Sequence, residues 1–360
     1  MNRNHSFEQL DDLVREELDR GTFPGAVILV QKGQEKVHHS AYGLRAEVPG
    51  REEMSRDTIF DLASLTKVVV TTTLALRLME KGKWKLSDPV ERYLEEFDNS
   101  GITLHQLLTH TSGLTAWADL FSGSDNREDA LDKLFTDRWP ILEPVVPPGE
   151  QVIYSDLNFI LLGLAIERSI GADLAEFARE EIFVPLDMKD TCFKPKREVR
   201  NRVAPTEDSP LRKGVIRGRV HDENCFALGE VSGHAGLFST ASDLGNFVSA
   251  LLNDERPGNE GLLSTEAINL LKRNFTEGLS QNRGLGWRLA GKEATSAGDF
   301  FSASAFGHTG FTGGSIWLDP FRNVGTIILT NRVHPERNRG KEAIGDFRAR
   351  THNLILGEIL

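Results

Sequence analysis

Strand-forming sequence in this chain is concentrated at its two ends. Near the start, Ala26 to Gln31 is an unbroken strand-like run. Lys32-Gly33 follows as a turn signal, and Glu35 to Tyr42 reads as the return strand. Near the end, Ser315-Ile316-Trp317-Leu318 runs into Asp319-Pro320. Phe321-Arg322-Asn323 makes a turn, and Val324 to Thr330 is the next strand. Residues 87–220 alternate helical patterns with breakers at Ser87-Asp88-Pro89, Pro147-Pro148-Gly149 and Asp208-Ser209-Pro210. Leu157–Ser169 and Leu174–Phe183 are helical candidates there. The simplest solution pairs the two ends into one antiparallel sheet, because an isolated hairpin buries too little to stand alone.

Helices at both termini would flank that sheet. Ser6-Phe7-Glu8-Gln9 has capping-box spacing, and Phe7, Leu10, Leu13, Val14 and Leu18 keep helical period up to Gly21. Lys341 to Gly357 reads as the closing helix. Residues 64–81 read as a further helix ending at Lys81-Gly82. Its run Val68-Val69-Val70-Thr71-Thr72-Thr73 has poor helix propensity, which burial would have to override. The expected class is α/β in the α+β sense. Residues 1–63 and 221–360 form the lobe with the antiparallel sheet, and residues 64–220 form a mostly helical inserted lobe.

Composition narrows the function classes. Hydrophobic side chains are 39% and charged ones 26% of the 360 residues, which suits a folded globular chain. With 53 acidic against 42 basic residues the formal charge is −11, no basic stripe is present, and a nucleic-acid partner is not expected. Cys192 and Cys225 sit in no paired motif and read as free thiols. The first residues carry no signal-like apolar stretch. The most apolar run, Leu157 to Ile166, is far short of the ~20 residues of a membrane span. A cytoplasmic location is expected, although an exported chain already processed would read the same way.

Three groupings carry chemistry. Ser64-Leu65-Thr66-Lys67 is an S-x-x-K. At a helix start it places the amine one turn from the hydroxyl, and a serine is inert without such a base. Alone, the same pattern also describes an N-cap serine and a surface lysine. Tyr154-Ser155-Asp156 follows a Pro-Pro-Gly break and precedes a helix. A phenol near an ammonium can shuttle protons, although the bare pattern equally fits a tyrosine packed on that helix. His308-Thr309-Gly310, followed by Phe311-Thr312-Gly313-Gly314 and a strand, suits close approach of substrate backbone, or simply a turn.

Together and in this order, the three resemble the serine β-lactamase and penicillin-binding-protein superfamily. The matching branch is that of class C β-lactamases, DD-carboxypeptidases and β-lactamase-like esterases. Leu107-Leu108-Thr109-His110-Thr111-Ser112-Gly113-Leu114, Pro148-Gly149, Leu161-Leu162-Gly163, Pro185-Leu186-Asp187-Met188 and Gly236-Leu237-Phe238-Ser239-Thr240 extend the resemblance over most of the chain. It implies that Ser64 is the acylated nucleophile, that Lys67 and Tyr154 share proton transfer, and that the N–H groups of Ser64 and Phe311 form an oxyanion hole. Asp156, His308, Thr309 and Gly310 would contact substrate, with the site between the lobes. No metal or organic cofactor is implied.

Two departures bear on the reaction. Asp156 stands where the branch has an amide, and His308 where many relatives have lysine; a histidine titrates near ~6.5. Both argue against efficient β-lactam turnover. The expected activity is hydrolysis of a small ester, amide or peptide, with esterase favoured over DD-carboxypeptidase and β-lactamase. The competing class is a ligand-binding or sensor protein that turns nothing over. Outside these motifs, His105 and His110 read as packing residues, and His221-Asp222-Glu223-Asn224 as a loop hydrogen-bonding segment. His234 is expected to border the cleft.

Overall fold

The strand Gly25–Lys32 (β1) is buried on both faces over all but its last residue, so it must lie inside a sheet between two packed layers. The computed structural model describes residues 6–97, 101–136, 141–252, 261–291 and 296–359. In it β1 pairs with Glu35–Ala46 (β2), and β2 with the short strand Glu52–Glu53 (β3). The other strands of this sheet come from the end of the chain: Arg288–Leu289 (β4), Phe306–Thr309 (β5), Ser315–Asp319 (β6) and Val324–Thr330 (β7). The order is β3-β2-β1-β7-β6-β5-β4, with every described pairing antiparallel. Ala26 faces Thr330 across the β1–β7 seam and Ile28 faces Ile328. The expected union of the two chain ends is therefore present.

Alternation along β1 divides the core. Ala26, Ile28 and Val30 pack with Leu10, Leu13 and Val14 of the helix Glu8–Asp19, and with Phe347 and Ile355 of the helix Ala343–Ile359. Val27 and Leu29 point the other way. They join a larger core with Leu244 and Phe247 of the helix Ala241–Leu252 and with Leu157 and Ile160 of the helix Asp156–Ile170. A three-stranded sheet, in the order Phe60–Asp61, Leu237–Ser239, Cys192–Phe193, lies at the start of the S-x-x-K segment.

Three expectations need correction. The first helix starts at Glu8, its N-cap is Phe7, and no side chain caps it. Ser6 makes no capping box, because its N–H donates instead to Glu358 Oε1 at the other end of the chain (2.7 Å). Residues 64–81 are not one α-helix. Ala63–Leu65 is a tight 3₁₀ turn, Lys67–Thr72 winds wide as a π-helix, and only Thr73–Glu80 is α-helical. The threonines explain part of this: Thr72 and Thr73 hydroxyls donate to the carbonyls of Lys67 and Val68, five residues back. Leu174–Phe183 is likewise split, α-helical to Ala178 and π-wound from Arg179.

Candidate active site

Ser64 lies on a strained corner. Ala63 before it takes φ 45°, a left-handed conformation that costs a non-glycine residue on the order of 1–3 kcal/mol. Asp61 holds the corner: its Oδ1 accepts the Ala63 N–H (2.9 Å) and its Oδ2 the His221 N–H (2.7 Å). Asp61 is buried, and burial raises its pKa against the pull of those two N–H groups.

Lys67 lies beneath Ser64, fully buried. Its Nζ donates to Ser64 Oγ (2.8 Å) and to the His234 carbonyl (3.1 Å), and lies 2.8 Å from Asp156 Oδ1. It also stands 5.1 Å from the centre of the Tyr154 ring. Burial works against the ammonium, but Asp156 and Tyr154 outweigh it, and the amine is held above its ordinary pKa. The π-winding that begins at Lys67 belongs to this site; such wide turns are frequent where function is located.

The Tyr154 segment is strapped to the loop that carries Leu107 to Leu114. Ile153 N–H donates to the His110 carbonyl, Ser155 N–H to His110 Nδ1 (3.1 Å), and Asp156 N–H to the Ala116 carbonyl. Because Nδ1 accepts a backbone N–H, the neutral His110 ring carries its proton on Nε2. Burial keeps it neutral, well below the ordinary histidine pKa. The ring packs between Tyr154 (4.6 Å) and Phe159 (5.1 Å). His110 therefore has the packing role read from sequence, and in addition positions the tyrosine backbone.

The third wall is the turn after β5. Thr312 Oγ1 donates to the Asp61 carbonyl (2.7 Å), which ties the Phe311 loop to the Ser64 corner. Gly310 is required here: a Cβ would come 2.5 Å from the Leu62 carbonyl oxygen. His308 is buried and its Nδ1 faces the Thr309 carbonyl (2.9 Å), so Nδ1 carries the proton. Burial, with Arg283 and Lys67 nearby, holds His308 well below the ordinary value, and it is neutral at pH 7.

These walls enclose a cleft of about 600 Å³. Ser64, Tyr154, Asp156, His308, Thr309, Gly310 and Phe311 all line it, with Lys67 behind Ser64. All the site residues anticipated from sequence are thus brought together. His234 is buried behind the cleft and reaches it through its carbonyl on Lys67. His221 and Asp222 line it, and Asn224 makes loop bonds to Ala118 and Leu120.

One neighbour escaped the sequence reading, and a second was read there only as part of a hydrogen-bonding loop. Arg283 is buried 5.4 Å from the Tyr154 ring centre, with Nη1 unpartnered; burial lowers it to about 10. Asp222 pairs with His234 Nε2 (2.8 Å), and that imidazole keeps it charged against the opposing effect of burial. Asp156, Asp222 and His234 bring three ligand-type atoms within 4.8 Å of one another. The cation beside them is the Lys67 ammonium, for which the Asp156 and Asp222 carboxylates are the counter-charges.

The fold and the cleft it builds are those of a β-lactamase-like serine hydrolase. The chain belongs to the Beta-lactamase family, whose model matches residues 10–350. It is 31% identical over 373 residues to the N-acetylmuramyl-L-alanine amidase of Bacillus subtilis, covering 92% of this chain and 83% of the relative. It is 28% identical over 393 residues to a protein named "Putative D-alanyl-D-alanine carboxypeptidase" in Escherichia coli K12, covering 98% and 89%. Among solved structures it resembles EstCE1, described as a hydrolase with promiscuous acyltransferase activity. That match has TM-score 0.77 and 21% identity, over 97% of this chain and 98% of the other. It also resembles an octameric penicillin-binding protein homologue from Pyrococcus abyssi, with TM-score 0.74 and 22% identity, over 98% and 78%. Among the described residues no helix is long and apolar enough to cross a membrane.

Proposed function

We propose that the chain hydrolyses an ester or amide through an acyl-enzyme on Ser64, in the cleft between the sheet lobe and the helical lobe. The contact that carries this reading is Lys67 Nζ to Ser64 Oγ at 2.8 Å, with Tyr154 alongside. A hydroxyl held by a buried amine is what nucleophilic attack needs. Lys67 and Tyr154 together take the Ser64 proton and return it to the leaving group. The N–H groups of Ser64 and Phe311 stabilise the oxyanion, each worth about 2.7–4 kcal/mol where such donors have been removed. Their spacing depends on the Thr312–Asp61 bond.

A small ester is the favoured substrate. Neutral His308 supplies no fixed charge for a β-lactam carboxylate. Arg283 favours a second reading, a peptide with a free carboxylate, because its unpartnered Nη1 stands in the cleft wall beside Tyr154. The names of the curated relatives, both of amide-cleaving enzymes, support that alternative. The two free cysteines suit a reducing, cytoplasmic setting.

The test is a turnover screen of short-chain aryl esters, a cephalosporin and a D-Ala-D-Ala peptide, with intact-mass detection of the acyl-enzyme. Absence of any covalent adduct on Ser64 during turnover would remove the proposal.

A further inference from the structure

By its sequence the Phe311 turn should be loose. Gly310, Gly313 and Gly314 surround Phe311 and Thr312, and glycine loses more conformational freedom on ordering than any other residue. The Phe311 side chain is 42% exposed, so burial does little to fix it. Phe311 lines the cleft with Ser64, and its N–H meets no acceptor among the described residues. A donor left free on a glycine-rich turn can serve the cleft only if something else keeps the turn in place.

Side chains from two other segments close on the ring. His221 stacks against it, with centres 5.7 Å apart and planes 19° from parallel. The Arg332 and Arg337 guanidiniums stand 5.1 and 5.2 Å from its centre. Arg332 Nη2 also donates to the Phe311 carbonyl (2.6 Å), while its Nη1 donates to the carbonyls of Arg337 (3.3 Å) and Arg339 (2.6 Å).

His221 and Arg337 are joined to each other in turn. Glu207 Oε2 lies 2.9 Å from His221 Nε2 and accepts Arg337 Nη1 at 3.1 Å. Arg337 pairs with Glu223 as well (2.6 Å). The backbone of His221 is fixed separately, by its N–H on Asp61 Oδ2 (2.7 Å), and the Asp61 carbonyl accepts the Thr312 hydroxyl (2.7 Å). Contacts therefore run in a closed circuit, from Asp61 through His221 to Phe311 and back through Thr312. The same Asp61 holds the Ala63 N–H just before Ser64.

We infer that His221 is a positioning residue for the oxyanion hole. Its ring, set by Glu207 and aided by Arg337, keeps the Phe311 N–H at a fixed distance from the Ser64 corner. It acts through Phe311 and on no reacting atom. The inference rests on the hydrolase reading above.

Steady-state kinetics of an aryl ester and its thiono analogue, in which sulfur replaces the carbonyl oxygen, test it. Sulfur is larger and a weaker acceptor, so the donors of the hole help the thiono ester less. In His221→Ala, kcat for the oxygen ester should fall about ten-fold or more with KM within about two-fold, and the oxygen-over-sulfur ratio of kcat/KM should fall about ten-fold. His221→Phe keeps a stacked ring and should restore kcat to within about three-fold of the unsubstituted chain. Arg337 is partly exposed, so Arg337→Met decides the matter if His221→Ala does not fold; there the same ratio should drop about three-fold. An unchanged ratio in the folded variant, with both esters slowed alike or neither slowed, overturns the inference. So does a His221→Phe chain as slow as His221→Ala. Intact mass separates the two readings. No Ser64 adduct with either ester removes the hydrolase reading, whereas an adduct with unchanged kinetics in the His221 and Arg337 variants removes this inference alone.

Discussion

Asp156 Oδ1 lies 2.8 Å from Lys67 Nζ, and the same nitrogen lies 2.8 Å from Ser64 Oγ. One buried ammonium thus bridges a carboxylate and the candidate nucleophile. The carboxylate favours the proton on Lys67, whereas the proposed attack by Ser64 needs that amine as a base.

This sets a pH dependence with a definite sign. Lys67 is raised by Asp156 and Tyr154, so its basic form grows as pH climbs and kcat/KM should rise toward alkaline pH. Asp156→Asn keeps the shape and removes the charge, so the rising limb should move to lower pH. The measurement is kcat/KM for one ester from about pH 5 to 10. Superimposed profiles would show that Asp156 has no electrostatic hold on the reaction. The apparent pKa belongs to the coupled group, not to one residue.

Ser64→Ala should abolish both covalent labelling and hydrolysis while preserving the thermal transition. Intact mass after incubation with an activated ester reports the first and steady-state rates the second. An adduct persisting in the variant would remove Ser64 from the nucleophile's role.

Lys67→Ala and Tyr154→Phe should each lose about 10²–10⁴ in kcat. The double variant should lose little more, because residues that act as one unit are not additive. Independent, multiplying losses would show two separate roles.

His308→Gln should leave the shape of the ester profile between pH 5.5 and 7.5 unchanged. The histidine is already neutral there, held below its ordinary value by burial and by Arg283 and Lys67. Disappearance of an inflection near pH 6.5 in the variant would mean that His308 titrates in the working range. The same neutrality predicts ester hydrolysis well above cephalosporin hydrolysis, read as a ratio of kcat/KM.

Gly310→Ala should lower kcat about ten-fold or more with a smaller change in KM. Its Cβ would press on the Leu62 carbonyl and part the Ser64 and Phe311 amides. Equal changes in both constants would argue for a general loss of binding instead.

The layers of the fold were legible because β1 and β7 are continuous apolar runs and each terminal helix keeps its period. The site was legible because S-x-x-K places two groups on one turn whatever follows. Ser6 misled because a capping box is a local pattern, whereas the competing partner, Glu358, arrives from the far end of the chain. The wide turns at Lys67–Thr72 depend on threonine hydroxyls choosing carbonyls five residues back, a choice that spacing does not encode. Arg283 sits in a segment without motif and Asp222 in one read only as a hydrogen-bonding loop, and only tertiary packing brings them to Tyr154 and Lys67.

The seam between β1 and β7 joins residues 26 and 330, and this orders events during synthesis. A growing chain has made Ser64, Lys67 and Tyr154 before its midpoint. It has no Phe311 amide, no Thr312 hydroxyl for Asp61, and no neighbour for the inner edge of β1. On the proposed assignment, the ribosome therefore carries the candidate nucleophile without its oxyanion-hole partner for most of translation. Under that assignment acyl transfer awaits insertion of the last strands, and a chain truncated before them should not turn over an ester.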